Sequence, residues 1–220
     1  MGRESRHRTM FVHHQRGNWA DAANAFERAF CGATLYPTAY HWHARLLGDM
    51  GFTKKSLDQA IAARALEPAS QILNSRVAVS YLWNNDMPNA RHFFDVANSM
   101  SVGVPDHHFA YTLFLVRDGR FEEARKSVKF AMTLALRDDS WVDAVIDALA
   151  YPDDQQRLAA AYLTIDAISA DKTVPPYITM TLWPMFGNGD KIMEITLQQA
   201  AEVGAIYELE YLPGRVPGPA

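Results

Sequence analysis

The sequence predicts an all-α fold, a solenoid of about five to six helix hairpins. The first observation behind this prediction is a 34-residue period, because four similar strings begin at positions 17, 51, 85 and 119 and align without a gap. The second is that small and larger apolar residues recur in the same columns of that alignment. Periods of about 20 to 50 residues are typical of stacked helix pairs, in which neighbouring repeats bury a continuous core.

The turn column of the alignment holds residues that tolerate a positive φ angle, which a tight connection between two helices favours. Its members are Gly17, Gly51, Asn85 and Gly119. Three further columns place small residues around a larger one, the pattern expected of a second helix packed closely on the first. Their members are Ala22, Ser56, Ala90 and Ala124, then Phe26, Ala60, Phe94 and Val128, then Ala29, Ala63, Ala97 and Ala131.

Upstream of each turn, the same period gives two columns for the contact side of the first helix. They are Met10, Ala44, Ala78 and Thr112, and His13, Leu47, Tyr81 and Leu115. Pro68 lies where a second helix should end. The predicted units are 3–36, 37–70, 71–104 and 105–138, followed by degenerate units at 139–172 and 173–204 that complete a repeat domain over 1–204. Residues 205–220 are rich in Pro and Gly and are expected to form a cap or a disordered tail.

These columns resemble the consensus of the tetratricopeptide repeat (TPR), which has small residues, a Gly turn, Ala, an aromatic residue, Ala and then Pro at a 34-residue period. The resemblance covers the four units from 3–36 to 105–138. It implies a right-handed superhelical solenoid whose concave face is lined by the first helix of each hairpin. Such faces present an extended groove to a peptide or a partner helix.

A closer likeness covers residues 36–97, through Tyr36-Pro37-Thr38-Ala39, Leu66-Glu67-Pro68 and the stretch from Ile72 to Ser75. It is similar to the TPR segments behind winged-helix domains in bacterial transcriptional activators, and behind some bacterial adenylate cyclases and Ser/Thr kinases. There the segment is a sensory or regulatory module that contacts protein partners. No winged-helix, kinase or cyclase motif occurs in this sequence.

The position of a residue within the 34-residue repeat predicts whether it lies on the concave face. The candidate partner-binding groove consists of His41, Arg45, Ser75, Val79, Leu82, Trp83, Phe109, Leu113 and Val116. Its middle, from Val79 to Val116, is apolar, which favours an apolar or amphipathic segment of another protein as ligand, with Trp83 and Phe109 as anchors. TPR clamps for a terminal carboxylate use Lys and Asn at these positions. Only Arg45 fits that role here, so a two-carboxylate clamp is not expected.

Several other uses of this surface stay open. The chain's own C-terminal helices or tail could fill the groove, and self-association as a homodimer would cover the same apolar patch. The chain could also act as a regulatory module of a bacterial signalling protein, or as a secretion-type TPR chaperone that shields the apolar segment of a translocated protein.

Composition narrows the range of partners. The net charge of −4 and the scattered basic residues argue against nucleic acid. Cys31 is the only cysteine, which excludes an intramolecular disulfide and fits a reducing compartment. No stretch approaches the roughly 18 to 20 apolar residues of a membrane span. We therefore expect a cytoplasmic protein.

No catalytic, cofactor or metal site is expected. The histidine pairs His13-His14, His41 with His43, and His107-His108 point to different sides of a helix and cannot chelate as an i,i+4 pair would. The sequence contains no phosphate-binding loop, no nucleophile elbow and no HExxH pattern. The prediction is a binding protein, not an enzyme, with no cofactor.

Overall fold

A computed structural model of the chain describes residues 36–100, 103–171, 182 and 185–187. Within residues 36–100 and 103–171, every regular element is an α-helix and no strand occurs. The helices are α1 (Pro37–Asp49), α2 (Thr53–Leu66), α3 (Gln71–Trp83), α4 (Met87–Asn98), α5 (Pro105–Arg117), α6 (Phe121–Leu134), α7 (Val142–Ala150) and α8 (Gln155–Ala170). None of these helices is both long and apolar enough to cross a membrane.

The described helices belong to two compact units, α1 to α4 in the first and α5 to α8 in the second. In the first unit, α1 packs on α2 and α3 on α4, and α3 also contacts both α1 and α2. In the second unit, α5 packs on α6, α6 on α7 and α7 on α8. Each unit is therefore made of successive helix hairpins, as the 34-residue period predicts.

The three turns that join the helices of the α1–α2, α3–α4 and α5–α6 hairpins confirm the predicted turn column. Gly51, Asn85 and Gly119 have φ angles of 83°, 59° and 75°. This left-handed region is open to Gly and is tolerated by Asn, but it strains most other residues. The turn residues of the alignment are thus set by backbone conformation.

The packing columns also form the core of the hairpins, as predicted. Phe94 and the alanines at 60, 63, 90, 97, 124 and 131 are completely buried. Ala44, Ala60 and Val77 make one cluster in the first unit, and the rings of Tyr81 and Phe93 pack over it as a stacked pair with centroids 5.6 Å apart. Alanine at these positions allows two helix backbones to approach closely, since only a methyl group separates them.

Local sequence accounts for where the helices begin and end. Pro37, Pro88 and Pro105 lie in the first turns of α1, α4 and α5, where a missing N–H costs no hydrogen bond. The Asp154 carboxylate caps α8 by accepting hydrogen bonds from the backbone N–H groups of Gln156 and Arg157, at 3.0 and 3.1 Å. The helices α7 and α8 lie within the degenerate repeat predicted at 139–172.

Several predictions lie outside the described residues. They concern the first repeat, 3–36, up to residue 35, together with its members of the alignment columns. They also concern the tail at 205–220 and most of the degenerate repeat expected at 173–204. From that last region the structure describes Leu182 and residues 185–187.

Candidate functional site

In the first unit, the candidate groove residues come from α1 and α3, which contact each other. Ser75, Val79 and Leu82 of α3 are only 4%, 5% and 3% exposed, so they contribute to the interior of the unit. His41 of α1 is buried as well, whereas Arg45 and Trp83 are half-buried and reach the surface. Of the six residues proposed here, Arg45 and Trp83 are thus the ones that a partner can touch directly.

Two arginine–tryptophan pairs lie on these two first helices. The guanidinium carbon of Arg45 is 5.6 Å from the ring centroid of Trp42, and that of Arg76 is 5.7 Å from the ring centroid of Trp83. These distances fit cation–π contacts. Register reasoning missed Trp42 and Arg76, although Arg follows Trp by three residues in one helix and precedes it by seven in the other, both spacings that bring side chains to the same side of a helix.

The Arg45 and Arg76 side chains also shape the electrostatics around His41. Burial, together with the positive charges of Arg76 and Arg45, lowers the pKa of His41 to about 3. His41 is therefore neutral at physiological pH. Its Nδ1 atom is buried and accepts or donates no hydrogen bond within the described part of the chain.

In the second unit, the candidate residues share one stripe of α5. Phe109, Leu113 and Val116 follow each other at i, i+4 and i+7, and all three are half-buried. The opposite side of α5 supplies core residues, since Phe114 and Leu115 are at most 1% exposed. The helix thus has a fully packed side and a second apolar side that is only partly covered.

Part of the α5 stripe is covered by the chain's own C-terminal region. Leu182 and Met185 line a small apolar cavity together with side chains of α5, α6 and α7. The other lining residues are Phe109, Thr112, Leu113, Val128, Trp141, Val145 and Ile146. The structure therefore brings Phe109 and Leu113 together with a segment from about 70 residues farther along the chain.

Histidines at the start of α5 are structural. His107 is completely buried and stacks on Tyr111 with ring centroids 6.1 Å apart. Burial lowers the pKa of His107 to about 4, with a smaller contribution from His108. The described residues contain no group of three His, Cys, Asp or Glu side chains placed to hold a metal ion.

An ion-pair network joins α6 to α7 on the second unit. Arg125 donates from Nη1 to Asp143 at 2.8 Å and from Nη2 to Asp147 at 2.5 Å, and Lys129 Nζ donates to Asp143 at 2.8 Å. Arg157 is paired with Asp154 at 2.9 Å. Each of these cations is matched by a carboxylate, so the network serves packing and offers no uncompensated charge to a ligand.

Comparison with known proteins identifies the fold. No family model and no curated protein sequence matches the chain. Its structure is similar to that of a thermophilic TPR protein from Thermus thermophilus, with 16% sequence identity, a TM-score of 0.62 and coverage of 91% of this chain and 98% of the other. It is also similar to a tetratricopeptide repeat protein from Parabacteroides merdae, with 11% identity, a TM-score of 0.50 and coverage of 90% and 79%. The chain has the tetratricopeptide-repeat fold.

Proposed function

We propose that this protein is an interaction module that binds an apolar or amphipathic segment of a partner protein through the first helices of its hairpins. The observation that carries the proposal is the half-buried apolar stripe of Phe109, Leu113 and Val116 on α5. Partial exposure of three large apolar groups on one helix side is costly in water, and a partner's apolar side chains would remove that cost.

The first unit supplies a second set of contact groups of the kind that dominates protein interfaces. Tryptophan and arginine are enriched among residues whose loss weakens binding most. Here Trp42, Arg45, Arg76 and Trp83 are all half-buried, and each guanidinium is held near an indole ring. Because both side chains of a pair are already oriented, a partner would order fewer rotamers on binding.

The buried histidines support a binding role over a catalytic one. A general base works best when its pKa lies near the working pH. The pKa values of His41 and His107 are about 3 and about 4, because burial disfavours their charged forms. Both imidazoles are therefore poorly suited to take up and return a proton at neutral pH.

Two biological settings are proposed as alternatives. The resemblance of residues 36–97 to the TPR segments of winged-helix activators and adenylate cyclases favours a regulatory module in a bacterial signalling protein. A secretion-type chaperone is the alternative, and the partner's identity separates the two. A signalling or transcription-regulating partner would support the first, and an exported protein would support the second.

Site-specific photo-crosslinking tests the proposed function. A photoreactive amino acid is placed at Val116 on the half-buried stripe, and in a matched variant at Leu163 of α8, which is 73% exposed. We expect a crosslink from position 116 to a discrete protein, and loss of that crosslink in a Phe109→Asp background that retains its helical circular dichroism. Position 163 should give no such product. Equal products from both positions, or none from 116, would contradict binding at α5.

A further inference from the structure

We propose that Leu182 and Met185 are an internal ligand of the second unit, and that the external partner replaces them with a helical segment carrying two large apolar residues three positions apart. The statement about the partner rests on the proposed function. The internal ligand itself does not, because it is a relationship between two parts of the same chain.

The geometry of the apolar cavity carries this inference. Leu182 is 4% exposed and Met185 is half-buried, and both have helical conformation. Both side chains line the same cavity, beside side chains of α5 and α7. On α5 they meet Phe109 and Leu113, two residues that the sequence assigned to partner binding.

The lining of the cavity selects apolar side chains. Apart from Leu182 and Met185 themselves, the cavity has seven lining residues, of which six are aliphatic or aromatic and none is charged. The exception, Thr112, already uses its hydroxyl as a donor to the His108 carbonyl at 2.8 Å. A charged group of a ligand would lose its hydration against this apolar lining, whereas burial of leucine or methionine side chains is favourable.

The internal ligand is covalently part of the same chain, and this explains why it would stay bound until a partner competes for the α5 surface. A tethered segment is present at an effective concentration on the order of millimolar, so a separate peptide at about micromolar concentration cannot displace it without much higher affinity. Phe186 adds a second contact, because its ring meets Tyr162 of α8 edge-on with centroids 5.6 Å apart.

The test measures whether the segment can be supplied in trans. A fluorescein-labelled synthetic peptide with the sequence of residues 176–190 is titrated with the full-length wild-type chain and with the full-length Leu182→Asp/Met185→Asp variant, and fluorescence anisotropy is recorded. We expect the variant to bind the peptide at least about tenfold more tightly than the wild type, because its own segment has left the cavity. The same peptide carrying both Asp substitutions should not bind.

Two further variants test whether the peptide binds at α5. Adding Phe109→Asp to the variant should weaken peptide binding by at least about tenfold, whereas adding Leu163→Asp should leave it unchanged. Equal peptide binding by wild type and variant, or no binding by a folded variant, would overturn the proposal.

Folding of the variant is itself informative. If the double Asp variant is unfolded by circular dichroism, Leu182→Ala/Met185→Ala replaces it in the same assay. Loss of structure in that variant too would overturn the proposal, since a displaceable ligand must leave the hairpins folded. Peptide binding without any crosslinked partner at position 116 would uphold the internal ligand and count against the proposed function alone.

Discussion

The indole ring of Trp83 lies directly against the backbone of α1 at Gly48, so closely that a Cβ atom at position 48 would overlap the ring. Gly48 is buried near the end of α1, and Trp83 is the last residue of α3. The Trp83 ring therefore joins α3 to α1 by packing on backbone that carries no side chain at Gly48.

Gly48→Ala should consequently destabilise the protein. The added methyl group forces Trp83 out of its position, and overpacking of this kind costs about 1–3 kcal/mol, partly offset by the higher helix propensity of alanine. Urea unfolding should show a lower free energy of unfolding for Gly48→Ala than for the wild type. In a Trp83→Leu background the same change should cost less, because the ring that it meets is gone.

Gly103→Ala is the matched control for this experiment. A Cβ at position 103 would meet Leu134 at 3.4 Å, which is ordinary van der Waals contact. Its effect on the free energy of unfolding should stay within about 0.5 kcal/mol. A Gly48→Ala protein as stable as Gly103→Ala would show that Trp83 moves freely, and would argue against the close contact.

Acid should destabilise the fold below about pH 6.5, because two buried histidines are neutral in the folded state. Their pKa falls from the ordinary 6.5 to about 3 for His41 and about 4 for His107. The unfolded chain takes up protons first, so the stability contributed by neutral burial is complete above the unfolded value and declines as pH falls toward the folded values. The urea midpoint should therefore drop between about pH 7 and pH 5.

A His107→Asn variant separates this titration from general acid effects. Asparagine carries no titratable group, so the variant should be less stable at neutral pH but should lose less stability on acidification than the wild type. An identical slope of stability against pH in the two proteins would show that His107 does not set the acid sensitivity.

Arg125 should make a measurable contribution to the docking of α7 on α6. Its side chain is 19% exposed and donates to both Asp143 and Asp147, so Arg125→Ala removes two charge-assisted hydrogen bonds and should cost about 1 kcal/mol. Arg125→Lys should recover only part of this, since an ammonium group cannot reproduce the planar fork. The difference should shrink in about 1 M salt, and Lys54→Ala, on exposed surface, is the control.

Much of the fold could be predicted from the sequence, because the positions that restrict residue type are local and recur in each repeat. Few residue types adopt the left-handed conformation found at Gly51, Asn85 and Gly119. Few also fit where two helices pack closely, as at the buried Ala60 and Ala97. The alignment columns are therefore visible in the sequence without any structure. The α7–α8 hairpin lies within 139–172, the stretch in which those columns no longer hold.

The site was predicted less completely, because surface exposure depends on what packs against a helix face from elsewhere in the chain. Register alone placed Val79 and Phe109 on equivalent faces of two first helices. In the structure Val79 is buried inside its unit, while Phe109 is half-buried beside Leu182. Contacts between residues about 70 positions apart leave no periodic signal in a single sequence.

Ser56 and Ser80 form a buried hydroxyl pair whose coupling can be measured. The Ser56 hydroxyl donates to the Ala44 carbonyl at 2.7 Å and lies 3.2 Å from the Ser80 hydroxyl, and both serines are completely buried. The Ser56 proton is used toward Ala44, so the Ser80 hydroxyl is the donor between them. Three helices, α1, α2 and α3, meet through these two contacts.

Ser56→Ala should therefore lower the free energy of unfolding by about 1 kcal/mol, even though alanine occupies the same column at positions 90 and 124. The Ser56→Ala/Ser80→Ala double variant should cost less than the sum of the two single changes, because the pair shares one hydrogen bond. Ser99→Ala, which removes an exposed hydroxyl bonded to the Val96 carbonyl at 2.7 Å, should have little effect. A fully additive cycle in urea unfolding would show that the two hydroxyls act independently, and a stabilising Ser56→Ala would show that the methyl column alone holds the three helices.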